Sequence, residues 1–137
     1  MAYNVLIVDD SATMRTLIRK VLSIYGFDVG EYFEGANGRE ALKVLEQHWV
    51  DIILSDLHMP EMDGEALVKA LRDHNLWRNI PVVLITTESR QEVLETFVQQ
   101  GIQGYIRKPF KPEAIRDKLI SILGGELHVG ELEGCDF

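Results

Sequence analysis

The sequence predicts an α/β protein whose core is a doubly wound parallel sheet with helices on both faces. Three observations carry this prediction. Five short apolar runs are rich in β-branched or aromatic residues, stretches of helical period lie between them, and the two kinds of segment alternate along the chain. Because parallel strands need crossover connections, this alternation favours right-handed strand–helix–strand units and a five-stranded sheet.

The predicted strands are the apolar runs themselves, which are too short for helices. In chain order they are Val5–Val8, Val29–Phe33, Ile52–Leu54, Val82–Ile85 and Tyr105–Ile106. The predicted helices are the stretches in which apolar residues recur every three or four positions. The first of them has Ser11 or Thr13 available as its N-cap. The other four are bounded by turn-forming or helix-breaking residues, namely Asn37-Gly38, Asp63-Gly64, Gly101 and Pro112.

Length and composition indicate one globular domain with a single core, since the chain has 137 residues, 46% hydrophobic and 26% charged. No apolar run approaches the ~18 residues that span a bilayer, and the first residues lack the basic segment of a signal peptide. Cys135 is the only cysteine, which excludes an internal disulfide and a cysteine-rich metal site. We therefore expect a cytoplasmic protein with no membrane partner.

The formal net charge of -8 argues against a nucleic-acid partner, whose phosphates would be repelled. Half of this net charge is concentrated at the C-terminal end, because residues 124–137 contain four acidic residues and no Lys or Arg. Residues 1–123 therefore carry only -4. We expect a folded domain over 1–123 and a separate acidic C-terminal tail over 124–137.

Chemically reactive side chains follow four of the five predicted strands. Asp9 and Asp10 follow strand 1, Asp56 follows strand 3, Thr86 follows strand 4 and Lys108 follows strand 5. In an open parallel sheet, ligands bind at the carboxyl ends of the strands. A flavodoxin-like strand order, 2-1-3-4-5, would place strands 1 and 3 side by side. Three carboxylates would then converge, flanked by a hydroxyl and an ammonium group.

Such a cluster needs a cation, because neighbouring carboxylates repel each other. Mg²⁺ takes one or two carboxylates and keeps positions free for a phosphoryl oxygen. The Asp56 carboxylate can then act as the nucleophile and form an acyl phosphate. Lys108 and the Thr86 hydroxyl would stabilise the charge on the phosphoryl oxygens. Each of these residues alone is compatible with a cap or a turn, but their combination favours a phosphoryl-transfer site.

The sequence resembles the response-regulator receiver domains, and among them the stand-alone CheY-like type, over residues 4 to 123. The motifs that carry the resemblance are the segments Val5–Ser11, Asn37–Leu42, Asp51–Gly64, Ile80–Thr86 and Gly104–Phe110. The resemblance implies that Asp56 is the phosphoacceptor. It also implies that Asp10 and Asp56 bind Mg²⁺ directly, that the backbone carbonyl of His58 is a further ligand, and that Asp9 acts through water.

The resemblance also implies a switch. Thr86 is similar to the switch hydroxyl of the family, Tyr105 to its switch aromatic residue, and Lys108 to its phosphate-sensing lysine. The Lys108–Pro109 bond resembles one that is cis in the family. Thr87 stands where the family has a small residue, and we expect it to crowd the path of attacking water.

Two further departures from the family bear on the structure. The chain between Gly26 and Gly38 is about three residues longer than is usual, which leaves the limits of strand 2 open. His58, two positions after the predicted acceptor Asp56, is expected to be a solvent-facing residue at the rim of the site.

Trp49 and Trp77, near helix ends, are expected to contribute to packing.

The function predicted is that of a single-domain response regulator that takes a phosphoryl group from a sensor histidine kinase. Phosphorylation would switch its affinity for a target protein docked on helix 4, strand 5 and helix 5, and a phosphatase would reset it. This face offers a predicted basic patch, formed by Arg90, Arg107, Lys111, Arg116 and Lys118. Signalling to a flagellar motor in chemotaxis is the leading interpretation, and a phosphorelay shuttle or a diffusible regulator of another system is the alternative.

Three other classes of function are weighed against this one. A haloacid-dehalogenase-type hydrolase needs a second acid two positions after its nucleophile on strand 1, where this chain has Ser11. A nucleotide-binding module needs a glycine-rich first loop, but this loop begins with two aspartates. A receiver that serves only as a scaffold would not need the complete set of reactive residues. We therefore expect no enzyme activity beyond the protein's own phosphorylation and dephosphorylation.

Overall fold

The computed structural model describes residues 2–25 and 27–123, which form five β/α units. In chain order these are β1 (Tyr3–Val8), α1 (Ala12–Ile24), β2 (Val29–Gly35), α2 (Gly38–Gln47), β3 (Ile52–Ser55), α3 (Gly64–Arg72), β4 (Val82–Thr86), α4 (Gln91–Gln99), β5 (Gly104–Arg107) and α5 (Pro112–Leu123). The sheet is entirely parallel, in the order β2-β1-β3-β4-β5. The predicted fold class and strand order are confirmed.

The core consists of two apolar layers, one on each face of the sheet. Strand side chains alternate between them: Val5 and Ile7 of β1 pack with α1 and α5, while Leu6 and Val8 pack with α2, α3 and α4. All four of these β1 side chains are buried. This arrangement covers both faces of the sheet and leaves its carboxyl edge to the loops.

Polar side chains cap the starts of the first three helices, and for α1 the sequence predicts this. The Ser11 hydroxyl accepts a hydrogen bond from the Met14 N–H and caps α1, so Ser11 rather than Thr13 is the N-cap. Asn37 and Asp63 cap α2 and α3 in the same way. The start of α4 differs, because its N-cap residue, Arg90, makes no side-chain capping bond.

A β-bulge in β2 accounts for one of the additional residues before α2. Tyr3 pairs with Val29, whereas the next residue, Asn4, pairs with Glu31, so that Gly30 is skipped in the register. A Cβ on Gly30 would lie 2.9 Å from the Asn4 Oδ1 atom, so a larger residue would not fit without a shift. Strand β2 begins at Val29 as predicted but continues two residues further, to Gly35.

The structure also corrects one packing prediction. Trp49 is 68% exposed, and its indole N–H donates to Asp51 Oδ1 at 2.8 Å, so it does not contribute to the core. Trp77 is partly buried and its ring stacks on His74 with a centroid distance of 3.6 Å, which agrees with a packing role. Among the described residues, no helix is both long and apolar enough to cross a membrane. The predicted acidic tail, 124–137, lies outside the described residues.

Candidate functional site

Three carboxylates converge at the carboxyl edge of the sheet. Strands β1 and β3 are neighbours with Val8 opposite Ser55, so both chains leave the sheet at the same level. The Asp56 N–H donates to the Val8 carbonyl at 2.8 Å and extends this pairing by one residue. One carboxylate oxygen from each of Asp9, Asp10 and Asp56 lies within 4.8 Å of the others.

The three aspartates differ in their contact with solvent. Asp9 and Asp56 are buried, with 2% and 8% of their surface exposed, whereas Asp10 lies at the surface. Hydrogen bonds orient the two buried side chains: Asp9 Oδ1 accepts from the Ser11 N–H at 2.9 Å, and Asp56 Oδ1 accepts from the Leu57 N–H at 2.7 Å. The cluster therefore has a fixed interior and one edge open to water.

Lys108 joins two of these carboxylates from the other side of the site. Its Nζ atom lies 2.8 Å from Asp9 Oδ2 and 3.1 Å from Asp56 Oδ2, and its side chain is only 11% exposed. Burial alone would lower the pKa of Lys108, but the hydrogen bonds that its ammonium group donates to both aspartates, and their negative charge, outweigh burial and hold the pKa above its usual value. The Lys108–Pro109 bond is cis, as the resemblance implies.

The loop after β3 depends on a glycine for its close approach to Asp56. The Gly64 N–H donates to the Leu57 carbonyl at 2.8 Å, which turns the chain into α3. A Cβ on Gly64 would lie 2.6 Å from the Asp56 carbonyl oxygen, a distance no side chain can tolerate. Gly64 therefore allows α3 to begin directly against the aspartate that the sequence predicts as the nucleophile.

Thr86 is fully buried at the end of β4, and its hydroxyl accepts a hydrogen bond from the Glu88 N–H at 3.2 Å. Thr87 is exposed. His58 is exposed as predicted, and its Nε2 atom lies 3.4 Å from Glu88 Oε1. Tyr105, on β5, is partly buried, and its hydroxyl accepts from the Gln91 side chain at 2.7 Å. Of the residues predicted for the switch, Thr86 and Thr87 thus lie at the start of the β4–α4 connection, and Tyr105 contacts the first residue of α4.

Sequence reasoning missed two pairs of residues that support this site. Arg15 of α1 donates to the Asp9 carbonyl and, at 2.8 Å, to Glu34 of β2, so it ties the aspartate loop to the edge strand. Arg90 donates to the Glu88 carboxylate from its backbone and its guanidinium at 2.9–3.0 Å, and its side chain lowers the pKa of Glu88 to about 2. Neither pair has a sequence signal beyond opposite charge.

The α4–β5–α5 face is less basic than the sequence predicts. Two of the five expected cations are paired with acids, since Arg90 binds Glu88 and Arg116 donates to Asp117 Oδ1 at 3.0 Å. Glu113 and Asp117 line the same groove beside β5. The basic patch expected from the sequence is therefore interrupted by carboxylates.

The donor set fits a hard divalent cation. Mg²⁺ prefers carboxylate and carbonyl oxygens and retains several waters, which the exposed edge at Asp10 can accommodate. Lys108 compensates only one of three clustered negative charges, so a divalent ion would balance the remainder. The arrangement can thus present a carboxylate nucleophile between two sources of positive charge, which is what transfer of a phosphoryl group requires.

The comparisons with known proteins define the class. A family model for the response regulator receiver domain matches residues 5–120, and the chain belongs to that family. Receiver domains act in phosphorelay signal transduction, and this is the function of the protein. Its sheet order and helix arrangement are those of the CheY-type receivers.

The similar proteins include several chemotaxis regulators. Chemotaxis protein CheY1 of Helicobacter pylori strain J99 is 38% identical over 122 residues, which cover 88% of this chain and 97% of that protein. The structure of CheY4 of Vibrio cholerae matches with a TM-score of 0.79 at 33% identity, covering 89% of this chain and 99% of that one. A CheX–CheY–BeF₃–Mg²⁺ complex from Borrelia burgdorferi matches with a TM-score of 0.80 at 25% identity, covering 89% and 90%.

Proposed function

We propose that Asp56 is the phosphoacceptor of this receiver and that phosphorylation switches its affinity for a target protein. The observation that carries the proposal is the position of Lys108, whose ammonium group bridges the two buried members, Asp56 and Asp9, of the three-aspartate cluster. A largely buried lysine beside a buried carboxylate lies close enough to bind the phosphoryl group that this carboxylate gains.

Asp9, Asp10, Asp56 and the backbone carbonyl of His58 would hold Mg²⁺. When bound, this ion neutralises charge on the phosphoryl oxygens during transfer. The Asp56 carboxylate forms a bond to phosphorus while the bond from phosphorus to the donor's leaving atom breaks, with both roughly in line. Lys108 then binds one phosphoryl oxygen and the Thr86 hydroxyl donates to another. These contacts exist only in the phosphorylated state, so they bias the protein toward a second conformation.

The proposed partners are a sensor histidine kinase as phosphodonor, a phosphatase, and a target that docks on the α4–β5–α5 face. One related CheY is known in a complex with CheX, and relatives of this chain are chemotaxis proteins. We therefore propose chemotaxis as the pathway and the cytoplasm as the location. A phosphorelay shuttle remains the second candidate, because the site chemistry is the same whatever the downstream protein.

Incubation with acetyl phosphate tests the proposed function directly. With Mg²⁺ present, intact-mass measurement should find one phosphoryl adduct, which is lost slowly once the excess donor is removed. A scaffold would gain no adduct, and a phosphohydrolase would consume the donor rapidly without accumulating the adduct. Either of these results would contradict the proposal.

Thr87 provides a prediction about the lifetime of the acyl phosphate. Its β-branched side chain is exposed immediately after Thr86, and we propose that it crowds the path of the attacking water. We expect Thr87→Ala to lose its phosphoryl group about tenfold faster, which is ~1.4 kcal/mol of barrier. Thr87→Val, which keeps the branched shape without the hydroxyl, should retain the parent lifetime. If Thr87→Ala has a lifetime equal to or longer than the parent's, this residue does not gate water.

A further inference from the structure

Gln91, the first residue of α4, is bound at both ends of its side-chain amide. Its Nε2 atom donates to the Tyr105 hydroxyl at 2.7 Å and to Glu95 Oε1 at 3.2 Å, while its Oε1 atom accepts from the Arg107 guanidinium. Since a primary amide has one acceptor end and one donor end, these partners fix which end faces which strand residue. The amide is therefore held in one orientation.

The two β5 partners of Gln91 reach it from the same side of the sheet. Tyr105 and Arg107 are two positions apart on one strand, so their side chains leave the same face. The strand thus offers an acceptor hydroxyl and a donor guanidinium to a single amide at the start of the facing helix. All three side chains meet at the exposed end of the α4–β5 contact.

We infer that Gln91 is a positioning residue of the switch, which holds the Tyr105 hydroxyl at the surface until Asp56 is phosphorylated. Arg107 supports Gln91 in this role. By donating to Gln91 Oε1, it fixes the amide orientation in which Nε2 faces the Tyr105 hydroxyl. This inference rests on the proposed function, in which Tyr105 moves when Thr86 binds the phosphoryl group. The hydrogen bond from Gln91 to Tyr105 must then break when the protein switches, so it adds to the free energy that phosphorylation has to supply.

A short chain of contacts connects this clamp of Gln91, Tyr105 and Arg107 to the acceptor site. The Thr86 hydroxyl accepts from the Glu88 N–H, and the Glu88 carboxylate accepts from the backbone and side chain of Arg90, the residue before Gln91. The start of α4 has no side-chain cap to anchor it independently. A displacement of the Thr86 hydroxyl would therefore move the loop that leads directly into Gln91 at the start of α4.

The clamp should stabilise the surface position of Tyr105, relative to its alternative position, by the free energy of one neutral hydrogen bond. Losing such a bond would raise the fraction of Tyr105 in its alternative position about fivefold in the unphosphorylated protein. A contact with only a structural role would change the unfolding midpoint instead and leave the tyrosine rotamer as it is. The side-chain rotamer of Tyr105 is therefore the readout that separates the two roles.

The test measures the Tyr105 ring resonances and its χ1 couplings by NMR in unphosphorylated parent, Gln91→Ala and Arg107→Met proteins. The parent with Mg²⁺ and beryllium trifluoride supplies the reference for the activated position. Gln91→Glu is the conservative variant, since its carboxylate can pair with Arg107 and accept from the tyrosine hydroxyl. Gln99→Ala, at an exposed position on the same helix, controls for loss of a glutamine.

We expect Gln91→Ala and Arg107→Met to move the Tyr105 resonances toward the activated reference without any ligand, and Gln91→Glu and Gln99→Ala to stay at the parent position. Both substituted positions are exposed, so the fold should be retained. Parent-like Tyr105 couplings in Gln91→Ala, with a normal parent response to beryllium trifluoride, would overturn the clamp alone. A parent that does not respond to beryllium trifluoride would instead overturn the proposed function on which the clamp rests.

Discussion

Asp56→Asn is expected to abolish covalent phosphorylation completely. Asparagine keeps the shape of the side chain and can still accept from the Leu57 N–H, which bonds to Asp56 at 2.7 Å. Lys108 retains Asp9 as an ion-pair partner at 2.8 Å, so the site should stay assembled. What is lost is the carboxylate that attacks phosphorus, since a neutral amide is not a competent nucleophile.

Intact-mass measurement after treatment with acetyl phosphate and Mg²⁺ checks this result. The parent should gain one phosphoryl group, and a chelator should suppress the gain because the acidic cluster needs a cation. Asp73→Asn is a suitable control, since Asp73 is an exposed aspartate at the end of α3. An adduct that persists in Asp56→Asn would place the acceptor elsewhere and remove the basis of the proposed mechanism.

Thr86→Ala is expected to separate phosphorylation from the conformational response. The nucleophile, the other aspartates and Lys108 are untouched by this change, so phosphoryl transfer should continue. The buried hydroxyl, however, is the group proposed to bind the phosphoryl oxygen as the state changes. A hydrogen bond to a charged group contributes about 1.5–3 kcal/mol, which is roughly ten- to a hundredfold in the ratio of the two conformations.

The response can be followed through the chemical shifts of Tyr105 and its neighbours on β5. In Thr86→Ala the phosphorylation-induced shift changes should largely disappear, together with the gain in affinity for the α4–β5–α5 target. Thr86→Ser restores a hydroxyl and is expected to recover most of both. Normal shift changes across Tyr105 in the alanine variant would show that Thr86 does not couple the acceptor to the switch.

The longer chain before α2 shows where sequence reasoning reached its limit in the fold. The apolar run correctly predicts the start of β2 at Val29, but the bulge at Gly30 is a matter of register between two strands. Local periodicity cannot specify such an offset, because the pairing partner, β1, lies more than twenty residues away. Trp49 shows the same limit for side chains, since an apolar residue after a helix can turn to either side.

The sequence by itself determined the five β/α units, the helices on both faces of the sheet and the identity of the residues at the carboxyl edge. Side-chain periods of 2 and 3.6 are local properties, and the ends of parallel strands share one edge, so the strand-end positions of Asp9, Asp56 and Lys108 suffice to predict that they lie together. Only the tertiary structure decided their partners. Lys108 is 99 residues from Asp9 and 52 from Asp56. Such contacts, like the pairing of Gln91 with Tyr105 and Arg107, depend on register and rotamers, because a hydrogen bond forms only within about 3 Å and a narrow range of angles.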